Sequence, residues 1–488
     1  MIEDVPLVVS SPMYLEDSDC GYCHGEKPEG YALESMKDGG AKYKSATIYS
    51  SVEIMTSKHY DELINQGFRR SGTLLYKKDL LRSCCRLYTI RTNLQMMKLE
   101  KKQRKIVNRF IKEIYQPLEH DNKTFDIFKL IFSEQKSSRF YTRYEPSVIT
   151  DEKYQLYKKY QMAVHNDEPN QCSQTQFRRF LCDTPFPEQE VDGTTEQWQY
   201  LNNWVKNWKK DENSHQSTIK RIGPTHECWY LDGKLIAISV LDFLPSGVSS
   251  IYFIWDPDYS HLSLGSISSI REILMCDQLN LGYYYLGYFI EDCPKMKYKA
   301  KFGGEILDLC NEVYFPLSIV KPFIKNDKLF VIDEYSDSDN KSEDDEFQEL
   351  EIENNGHPID YIESDYNGKP LRNVAENIYG KNSPTFHIAK AVNQSLHQHI
   401  QLDSSIPKSL RNRDFPDVVP GIIPLWQLQE YLENGTIDND LPVELFLPYK
   451  NEMIQSTLGQ LDPSNKKVVL DCIRVFGLDK FQQSIIII

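Results

Sequence analysis

The chain has 488 residues and a formal net charge of −15 at pH 7. Its length predicts two or three domains, and it contains no run of about 18 apolar residues, so no membrane-spanning helix is expected. The acidic balance argues against a nucleic-acid partner. However, roughly half of residues 333–353 are Asp or Glu, so basic clusters elsewhere could still bind a polyanion.

The chain begins without a basic segment followed by an apolar run, so we expect no secretory signal. Eleven cysteines in such a chain favour a reducing compartment, where cysteines serve as metal ligands, nucleophiles or core residues. We therefore expect the protein in the cytoplasm, with the nucleus as a second location.

Two cysteine pairs lie in the N-terminal part of the chain. The first is a CxxC motif at Cys20 and Cys23, and the second is Cys84-Cys85. Four thiolates can close a tetrahedral zinc site or hold an iron–sulfur cluster. Neighbouring residues on a strand point to opposite faces, so the second pair can bind one centre only if the chain bends there. Two separate pairs of buried thiols are the alternative, and His24 is an alternative ligand.

Two arginine pairs are candidate anion-binding residues. Arg69-Arg70 lies between two glycines and could meet a phosphate or a carboxylate, although a solvated turn explains it equally well. Arg178-Arg179 lies in a basic and aromatic patch over residues 175–181.

A basic amphipathic helix is predicted over residues 95–118, with Val107 and Phe110 among its apolar positions. A solvated helix face is the common reason for such a run. This helix is also the part of the chain whose positive charges are best suited to bind an RNA backbone. Its cations are Lys98, Lys101, Lys102, Arg104, Lys105, Arg109 and Lys112.

A second helix is predicted over residues 152–165, with His165 on its tyrosine-bearing face. A hairpin is then predicted across Asp232-Gly233, a strong turn signal, and His226 lies just before its first strand.

The chain is organised around a strand–helix–strand unit. Residues 250–255 form an aromatic strand, a helix starts after the candidate cap Ser263, and residues 283–290 form a second strand. Ligands in such units bind at the carboxyl ends of the strands, beside the helix N-terminus. Lysines then alternate over residues 295–301, as on a solvated edge or in a site. The helix has an apolar stripe formed by Ile267, Ile270, Ile273 and Leu274.

This order of elements resembles the acyl-transferring half of GNAT-type acyltransferases. The loop at residues 262–266 lacks the glycine-rich segment that holds the pyrophosphate of coenzyme A in that family, so we expect a different acyl donor. The stretches YFIWDPDYSHLSLGSISSIREI and YYYLGYFIEDCPKMKYKAKF, with CGYC, QGFRRSG and CC upstream, resemble the eukaryotic, fungal-type arginyl-tRNA–protein transferases over roughly residues 15–325.

The resemblance implies an α+β fold with a GNAT-like acyltransferase core. We place a Cys-rich, metal-binding domain with the basic helix at residues 1–135 and the catalytic domain at 136–330. An acidic linker follows at 331–355. A separate, mostly helical C-terminal extension occupies 356–488, and we have no prediction for its role or for the isoleucine run at its end.

The resemblance also implies a reaction, namely transfer of arginine from arginyl-tRNA to the α-amine of proteins that begin with Asp, Glu or oxidised Cys. The N-terminal arginine would form an N-degron for ubiquitin-dependent degradation. The four cysteines would hold a regulatory iron–sulfur cluster, with zinc as the alternative. The expected partners are arginyl-tRNA and proteins with acidic N-termini, and we expect a monomer that does not bind membranes.

Ester aminolysis needs a neutral amine, donors to the oxyanion, and partners for the charged side chains. The groups that could orient substrates or donate to the oxyanion are Tyr157, Tyr160 and Tyr298, with backbone amides near Ile254. The candidate bases are His226 and His165. The carboxylates that could hold the arginyl group are Asp277 and Glu272. The cations that could bind the acidic acceptor are Arg178, Arg179, Lys297 and Lys299. The candidate tRNA contacts are Lys101, Lys102, Lys105 and Lys159.

Two other functions remain open from the sequence. An N-acetyltransferase that uses acetyl-CoA is opposed by the missing glycine loop. A non-catalytic, metal-dependent RNA or protein adaptor is supported by the cysteines and the basic helix.

Overall fold

The computed structural model describes residues 5–17, 19–24, 45–115, 125–208, 219–324, 328–334, 371–380, 383–399 and 415–488. Most of the predicted acidic linker lies outside these described residues, and so do the last residues of the predicted basic helix.

The strands of the described residues are numbered in chain order. They are β1 Leu7–Ser10, β2 Met13–Asp17, β3 Ser45–Ile54, β4 Arg69–Ser71, β5 Leu74–Lys78, β6 Tyr88–Thr92, β7 Phe140–Glu145, β8 Gly223–Leu231, β9 Lys234–Leu244, β10 Gly247–Trp255, β11 Tyr283–Phe289, β12 Glu305–Asp308, β13 Val313–Pro316, β14 Ile332–Glu334, β15 Leu371–Asn373, β16 Pro442–Leu447, β17 Glu452–Thr457 and β18 Ser484–Ile487.

The helices of the described residues are numbered in the same way. They are α1 Ser57–Asn65, α2 Lys101–Ile114, α3 Lys129–Lys136, α4 Asp151–Tyr160, α5 Gln174–Leu181, α6 Glu188–Asp192, α7 Thr195–Asn202, α8 Leu264–Gln278, α9 Pro294–Lys297, α10 Leu317–Ile324, α11 Ala375–Tyr379, α12 Pro384–His399, α13 Leu425–Glu433, α14 Pro463–Phe476 and α15 Leu478–Phe481. Short 3₁₀ and π segments include the π-helix Gln161–His165 and the 3₁₀ helices Pro257–Leu262 and Tyr298–Phe302. None of the helices in the described ranges is long and apolar enough to cross a membrane.

The central sheet has the strand order β13-β12-β6-β11-β10-β9-β8-β7. Its neighbours pair in antiparallel fashion except β10 and β11, which are parallel and flank α8 in the chain. The predicted hairpin is confirmed, because β8 and β9 join across Asp232 and Gly233, both at positive φ. A mixed α/β structure with large sheets confirms the α+β class.

The second large sheet has the order β17-β16-β18-β1-β3-β5-β4, with β2 also paired to β3. The isoleucine run at the end of the chain forms β18, which is parallel to β1 on one side and to β16 on the other. Ile486 is completely buried there. The C-terminal region therefore contains helices, as predicted, but also three strands that share a sheet with the first strands of the chain.

Helix α8 covers one face of the central sheet. The four residues of its predicted apolar stripe are all buried, which confirms the stripe. Each fully buried aliphatic side chain of this kind contributes roughly 1.5–3 kcal/mol to the free energy of unfolding, so the helix is firmly held below β10 and β11.

A gap opens in the central sheet between β10 and β11. The two strands pair only over Gly247–Ser249 and Tyr283–Tyr285. Beyond that point β10 stays with β9 to its end, whereas β11 stays with β6 and changes register around Gly287, which has a φ of +78°. The unpaired backbone beyond Ser249 and the start of α8 meet at the carboxyl end of β10, where a ligand is expected.

Candidate active site

Three of the predicted site residues come together beside the gap. Glu272 lies on α8, Tyr160 ends α4, and Tyr298 follows α9. Tyr298 is partly exposed, and desolvation, then the charges of Tyr160 and Glu272, raise its pKa, so both groups lie within electrostatic range of its hydroxyl. The structure thus assembles two phenols and one carboxylate from three separate segments around the place where β10 and β11 part.

Glu272 is completely buried and accepts three hydroxyl hydrogen bonds. Ser268 donates at 2.8 Å, and Ser239 and Tyr284 also donate. Burial and the neighbouring Glu227 raise the pKa of Glu272 to about 7, against the pull of these hydrogen bonds. The carboxylate is therefore enclosed by hydroxyls from α8, β9 and β11 and ionises near neutral pH.

A buried pair of cations lies next to the register change of β11. Lys299 is 7% exposed and its Nζ donates to the carbonyl oxygen of Tyr288 at 2.6 Å. Arg69 is 4% exposed, and its Nη2 donates to the carbonyl oxygen of Gly287 at 3.3 Å. Burial lowers the pKa of Lys299 to about 7, and the positive charge of Arg69 lowers it as well.

This cation pair has only carbonyl acceptors. Arg69 Nη1 donates to the carbonyl oxygens of Phe68 at 2.8 Å and Ile64 at 3.4 Å, while its buried Nε has no partner. Among the described residues, no carboxylate forms an ion pair with Arg69 or Lys299. Buried charges are normally paired, so this arrangement is suited to receiving an anion.

The neighbouring arginine is used differently. Arg70 forms a bidentate, buried ion pair with Asp242, with donor–acceptor distances of 2.6 and 2.5 Å. Of the two candidate arginines in this run, Arg70 is thus paired with Asp242 inside the fold, and Arg69 belongs to the cation pair.

His226 lies deep in the protein and away from solvent. Its Nε2 donates to the carbonyl oxygen of Leu181 at 2.9 Å, and its Nδ1 accepts from Lys153 Nζ at 3.1 Å. Burial and then Lys153 lower the pKa of His226 to about 3. The imidazole is neutral, and both nitrogens are in use, whereas His165 is exposed and bonded to Tyr252 at 3.0 Å.

Other predicted residues lie apart from the gap or on the surface. Tyr157 is buried against Phe177 with ring centroids 5.1 Å apart. Asp277 is exposed near the C-terminal end of α8, beyond Glu272. Lys297 is exposed and forms an ion pair with Glu291 at 2.9 Å. Arg178 and Arg179 are exposed on α5.

The four cysteines form one cluster. The Sγ atoms of Cys20, Cys23, Cys84 and Cys85 all lie within 4.8 Å of one another, and Cys23 and Cys84 are 3.4 Å apart. Four thiolates around one tetrahedral zinc ion would be about 3.8 Å apart. The donor set thus fits a metal, and the bend at the second pair brings both of its thiols inward.

Positive side chains adjoin this cluster. Arg86 is completely buried, and its Nη1 donates to the carbonyl oxygen of Ser83 at 3.0 Å. Burial lowers the pKa of Arg86, and Tyr88, Asp79, Cys84 and Cys85 counteract this in decreasing order, so the guanidinium lies within electrostatic range of the cysteine pair. Its charge would balance part of the negative charge of metal-bound thiolates.

Tyr22, between the first two cysteines, connects the cluster with the cation pair. Burial raises the pKa of Tyr22, and so do Tyr76 and Cys293. Cys293 in turn is close enough to raise the pKa of Lys299. Tyr22 packs against the hydrophobic cluster that contains Cys20, Cys85, Tyr288 and Cys293, a link that no spacing in the sequence indicates.

Helix α2 carries the predicted basic surface. A capping box of Glu100 and Gln103 begins it, and Val107 and Phe110 bury its opposite face. At 100° per residue, five exposed cations of the helix fall within an arc of about 100°, and Arg104 lies about 60° outside it. Those in the arc are Lys101, Lys102, Lys105, Arg109 and Lys112, while Lys98 lies before the first residue of the helix.

Lys159 differs from the other predicted tRNA contacts because acidic residues already surround it. Its Nζ donates to Asp256 at 2.5 Å and Asp258 at 2.6 Å, and Lys234 joins Asp256 at 2.7 Å.

The sequence of the chain matches two family models. Residues 18–105 match the N terminus of arginine-tRNA-protein transferase, and residues 152–308 match its C terminus.

Curated relatives agree with these matches. Arginyl-tRNA--protein transferase 1 of Saccharomyces cerevisiae is 41% identical over 499 aligned residues, covering 96% of this chain and 95% of the relative. Arginyl-tRNA--protein transferase 2 of Arabidopsis thaliana is 36% identical over 39% of this chain and 30% of the relative. A protein named aspartate/glutamate leucyltransferase from Campylobacter jejuni is 41% identical over 18% of this chain and 36% of its own length.

Proposed function

The chain belongs to the arginyl-tRNA–protein transferases, aminoacyltransferases that transfer arginine from arginyl-tRNA to proteins, and we propose that its acceptors begin with Asp, Glu or oxidised Cys. In this proposal the reaction takes place in the gap between β10 and β11, on a GNAT-like core. The product would carry an N-terminal arginine that acts as a degradation signal. The Campylobacter relative is named an aspartate/glutamate leucyltransferase, which supports acidic acceptors.

The observation that carries this proposal is the cation pair. Both side chains are buried, and they donate hydrogen bonds to the carbonyl oxygens of adjacent residues of β11. Neither has a carboxylate partner among the described residues. The side chain of an acceptor's first residue would supply that carboxylate. Charge-assisted hydrogen bonds of this kind are the strong ones in proteins. Three exposed cations remain candidates for contacts with later residues of the acceptor, because an acceptor in solution can reach them. They are Lys297, Arg178 and Arg179.

The chemical step is aminolysis of an ester. The neutral α-amine of the acceptor attacks the carbonyl carbon of the arginyl ester and forms a C–N bond. The C–O bond to the terminal ribose breaks, and the proton lost by the amine passes to the departing ribose oxygen. The reference pKa of an α-amine is about 7.7–8.0, so modest assistance is enough to provide the neutral form.

The developing oxyanion needs donors in the gap. Our candidates are the hydroxyls of Tyr160 and Tyr298 and the backbone amides of β10 beyond Ser249, where β11 no longer pairs with it. His226 and Tyr157 are buried in hydrogen-bonded or aromatic packing, so in this proposal they position α4 and α5. Exposed His165 keeps its candidacy as a base.

Glu272 is our candidate partner for the arginyl guanidinium, because it accepts a hydrogen bond from Tyr284 on β11, whereas Asp277 is exposed near the end of α8. A bound guanidinium would lower the pKa of Glu272 from about 7, since an opposite charge stabilises the ionised carboxyl. The three hydroxyls around the carboxylate would keep it oriented.

Helix α2 is our candidate tRNA surface, with Lys101, Lys102 and Lys105 on its exposed face. Its cations would contact backbone phosphates and give a salt-dependent affinity. Lys159 would take part only after leaving Asp256 and Asp258.

The four cysteines are proposed to hold an iron–sulfur cluster, with a single zinc ion as the alternative. Bound metal would tie the N-terminal segment to residues 84 and 85 through thiolate bonds. The present sulfur spacing is close to that around a single tetrahedral ion. A [2Fe–2S] cluster binds two cysteines at each of its two irons and a [4Fe–4S] cluster binds one cysteine at each iron, so either cluster needs some of the sulfurs further apart. Metal analysis with an anaerobic absorption spectrum would distinguish them. We further propose a monomer in the cytoplasm, with the nucleus as a second location.

The proposal is tested with labelled arginyl-tRNA and peptides that begin with Asp, Glu or Gly. We expect labelling of the Asp and Glu peptides and little labelling of the Gly peptide. Lys299→Met and Arg69→Met should each lower kcat/KM for the Asp peptide by about 10- to 100-fold, the range for a charged hydrogen bond.

The Gly peptide serves as the internal control, because a misfolded fraction would lower both activities and leave their ratio unchanged. Lys295→Met removes an exposed neighbouring lysine and should leave the ratio as in the wild type. Equal labelling of the Asp and Gly peptides by the wild type would contradict acidic acceptor selection.

A further inference from the structure

We propose that the aromatic side chains at the carboxyl end of β10 form the platform on which the 3′-terminal base of arginyl-tRNA stacks. The residues that would contact this nucleobase are Tyr252 and Trp255, and His165 would supply a third ring. This inference rests on the proposed reaction site in the gap, and it names the part of the tRNA that is held there.

The platform is centred on Tyr160. Its ring meets those of His165, Trp255 and Tyr252 edge to face, with centroid distances of 5.4, 5.7 and 6.1 Å. Phe180 packs edge to face against Tyr252 at 5.1 Å. Tyr160 is almost completely buried, whereas Tyr252 and Trp255 are partly exposed and His165 is exposed. The buried ring of Tyr160 is thus surrounded by rings that are still partly exposed to solvent.

The π-helix Gln161–His165 fixes the orientation of these rings. The Tyr252 hydroxyl donates to Oε1 of Gln161 at 3.1 Å, and Nε2 of His165 donates to that hydroxyl at 3.0 Å. The rings of His165 and Tyr252 lie within 27° of parallel. Single π-turns in helices occur frequently at functional sites. Here the turn also leaves Met162 and Val164 exposed beside the rings, which extends the apolar surface.

The platform adjoins both the gap and the basic surface. Trp255 is the last residue of β10, beyond the point where β11 departs. The 3₁₀ helix Pro257–Leu262 follows it, and α2 packs against that segment and against α8. Arg109 on α2 donates to Oγ of Ser263 at 2.9 Å. The cations of α2 and the aromatic rings therefore flank one turn.

This combination suits the single-stranded end of a tRNA. Proteins bind unpaired nucleotides with cations along the backbone and aromatic rings against the bases. The arginyl ester is attached to the terminal ribose, so stacking of the terminal base at Trp255 would place the ester carbonyl at the gap. The alternative occupant of such a surface is the second residue of the acceptor polypeptide, and the test below distinguishes it from the terminal base.

The test uses tRNA whose 3′-terminal base is 2-aminopurine, a fluorescent adenine analogue that is quenched by stacking. We expect quenching with the full-length wild type, and much weaker quenching with Tyr252→Leu and Trp255→Leu at protein concentrations that saturate filter binding. The KM for arginyl-tRNA should rise about 5- to 150-fold, the range for loss of one base–aromatic stack. The KM for the Asp peptide should remain within about twofold.

Two further variants control the experiment. Trp255→Phe keeps an aromatic ring and should quench much more strongly than Trp255→Leu. If Trp255 had only a structural role, quenching would not depend on the presence of a ring at this position. Tyr141→Leu removes an exposed ring on the edge strand β7, where Tyr141 stacks on Tyr230 at 5.0 Å, and should quench like the wild type.

Absence of quenching with the wild type would overturn the inference, and so would a KM effect confined to the acceptor peptide, which would assign the rings to the polypeptide. Either result would leave the wild-type preference for Asp over Gly, and its loss in the Lys299→Met and Arg69→Met variants, unchanged, so failure of the platform is distinguishable from failure of the proposed function.

Discussion

Lys299 and Arg69 donate to carbonyl oxygens of consecutive residues, Tyr288 and Gly287, although they are far apart in the chain. The register change of β11 and the positive φ of Gly287 turn these two carbonyls toward the cations. The carbonyls fix the positions of the side chains without neutralising their charges. A site built in this way holds two cations ready for an anion.

Acceptor selectivity should fall as the pH rises. The pKa of Lys299 is lowered to about 7 by burial and by Arg69, with Cys293 opposing, so Lys299 is charged below pH 7 and loses its charge above it. The ratio of kcat/KM for Asp and Gly peptides should therefore decline above pH 7, by at most about tenfold per pH unit. The requirement for a neutral amine is common to both peptides and cancels in the ratio.

The control for this pH effect is Lys299→Arg. Arginine remains charged throughout the range, so the selectivity ratio of this variant should be nearly independent of pH between 6 and 9. A wild-type ratio that is flat over the same range would show that Lys299 does not bind the acceptor carboxylate.

Arg70 should matter for stability and not for acceptor choice. Removing one partner of a buried ion pair leaves the other charge unpaired and typically costs about 3–5 kcal/mol. Arg70→Met would strand Asp242, so we expect a markedly lower urea midpoint with an unchanged Asp-to-Gly ratio for the folded fraction. Arg69→Met should show the reverse pattern. A loss of selectivity in Arg70→Met would contradict this division of roles.

Local patterns in the sequence predict much of the fold. The turn at Asp232-Gly233, the stripe on α8 and the strand–helix–strand unit are set by short-range propensities and periodicity, and all three are present. The pairing of β18 with β1 is different, because it joins the two ends of the chain. Four isoleucines favour a strand, but no local signal identifies its partner.

The candidate site shows the same limit. The cysteine cluster could be predicted because four ligands of one type have few other uses together. Glu272, Tyr160 and Tyr298 could be nominated singly, while their proximity depends on tertiary structure. Arg69 and Arg70 look equivalent in the sequence, and only the position of Asp242 separates their roles. The shared exposed face of the α2 cations could be predicted directly from helical periodicity.

Loss of the metal that we propose at the four cysteines should weaken acceptor binding. Cys23→Ser removes a thiolate ligand, so we expect a lower metal content and a lower melting temperature. Tyr22 would lose its anchor beside Cys293 and the cation pair, so the KM for the Asp peptide should rise several-fold while the KM for arginyl-tRNA stays close to that of the wild type.

A cysteine outside the cluster provides the matched control for this experiment. Cys182 is similarly half-buried, and Cys182→Ser should keep both the metal and the acceptor KM. If Cys23→Ser lost its metal but kept the wild-type acceptor KM, the connection through Tyr22 would be refuted.

The basic face of α2 should determine how tRNA binding depends on salt. Each phosphate contact contributes about 0.7–0.9 to the slope of log affinity against log salt concentration. A triple variant, Lys101→Ala, Lys102→Ala and Lys105→Ala, should therefore reduce that slope by about 2–3 in filter-binding titrations. Lys450→Ala, on the turn between β16 and β17, removes an equally exposed cation from the other sheet and should leave the slope unchanged. A triple variant with the wild-type slope would place the tRNA on another surface of the protein.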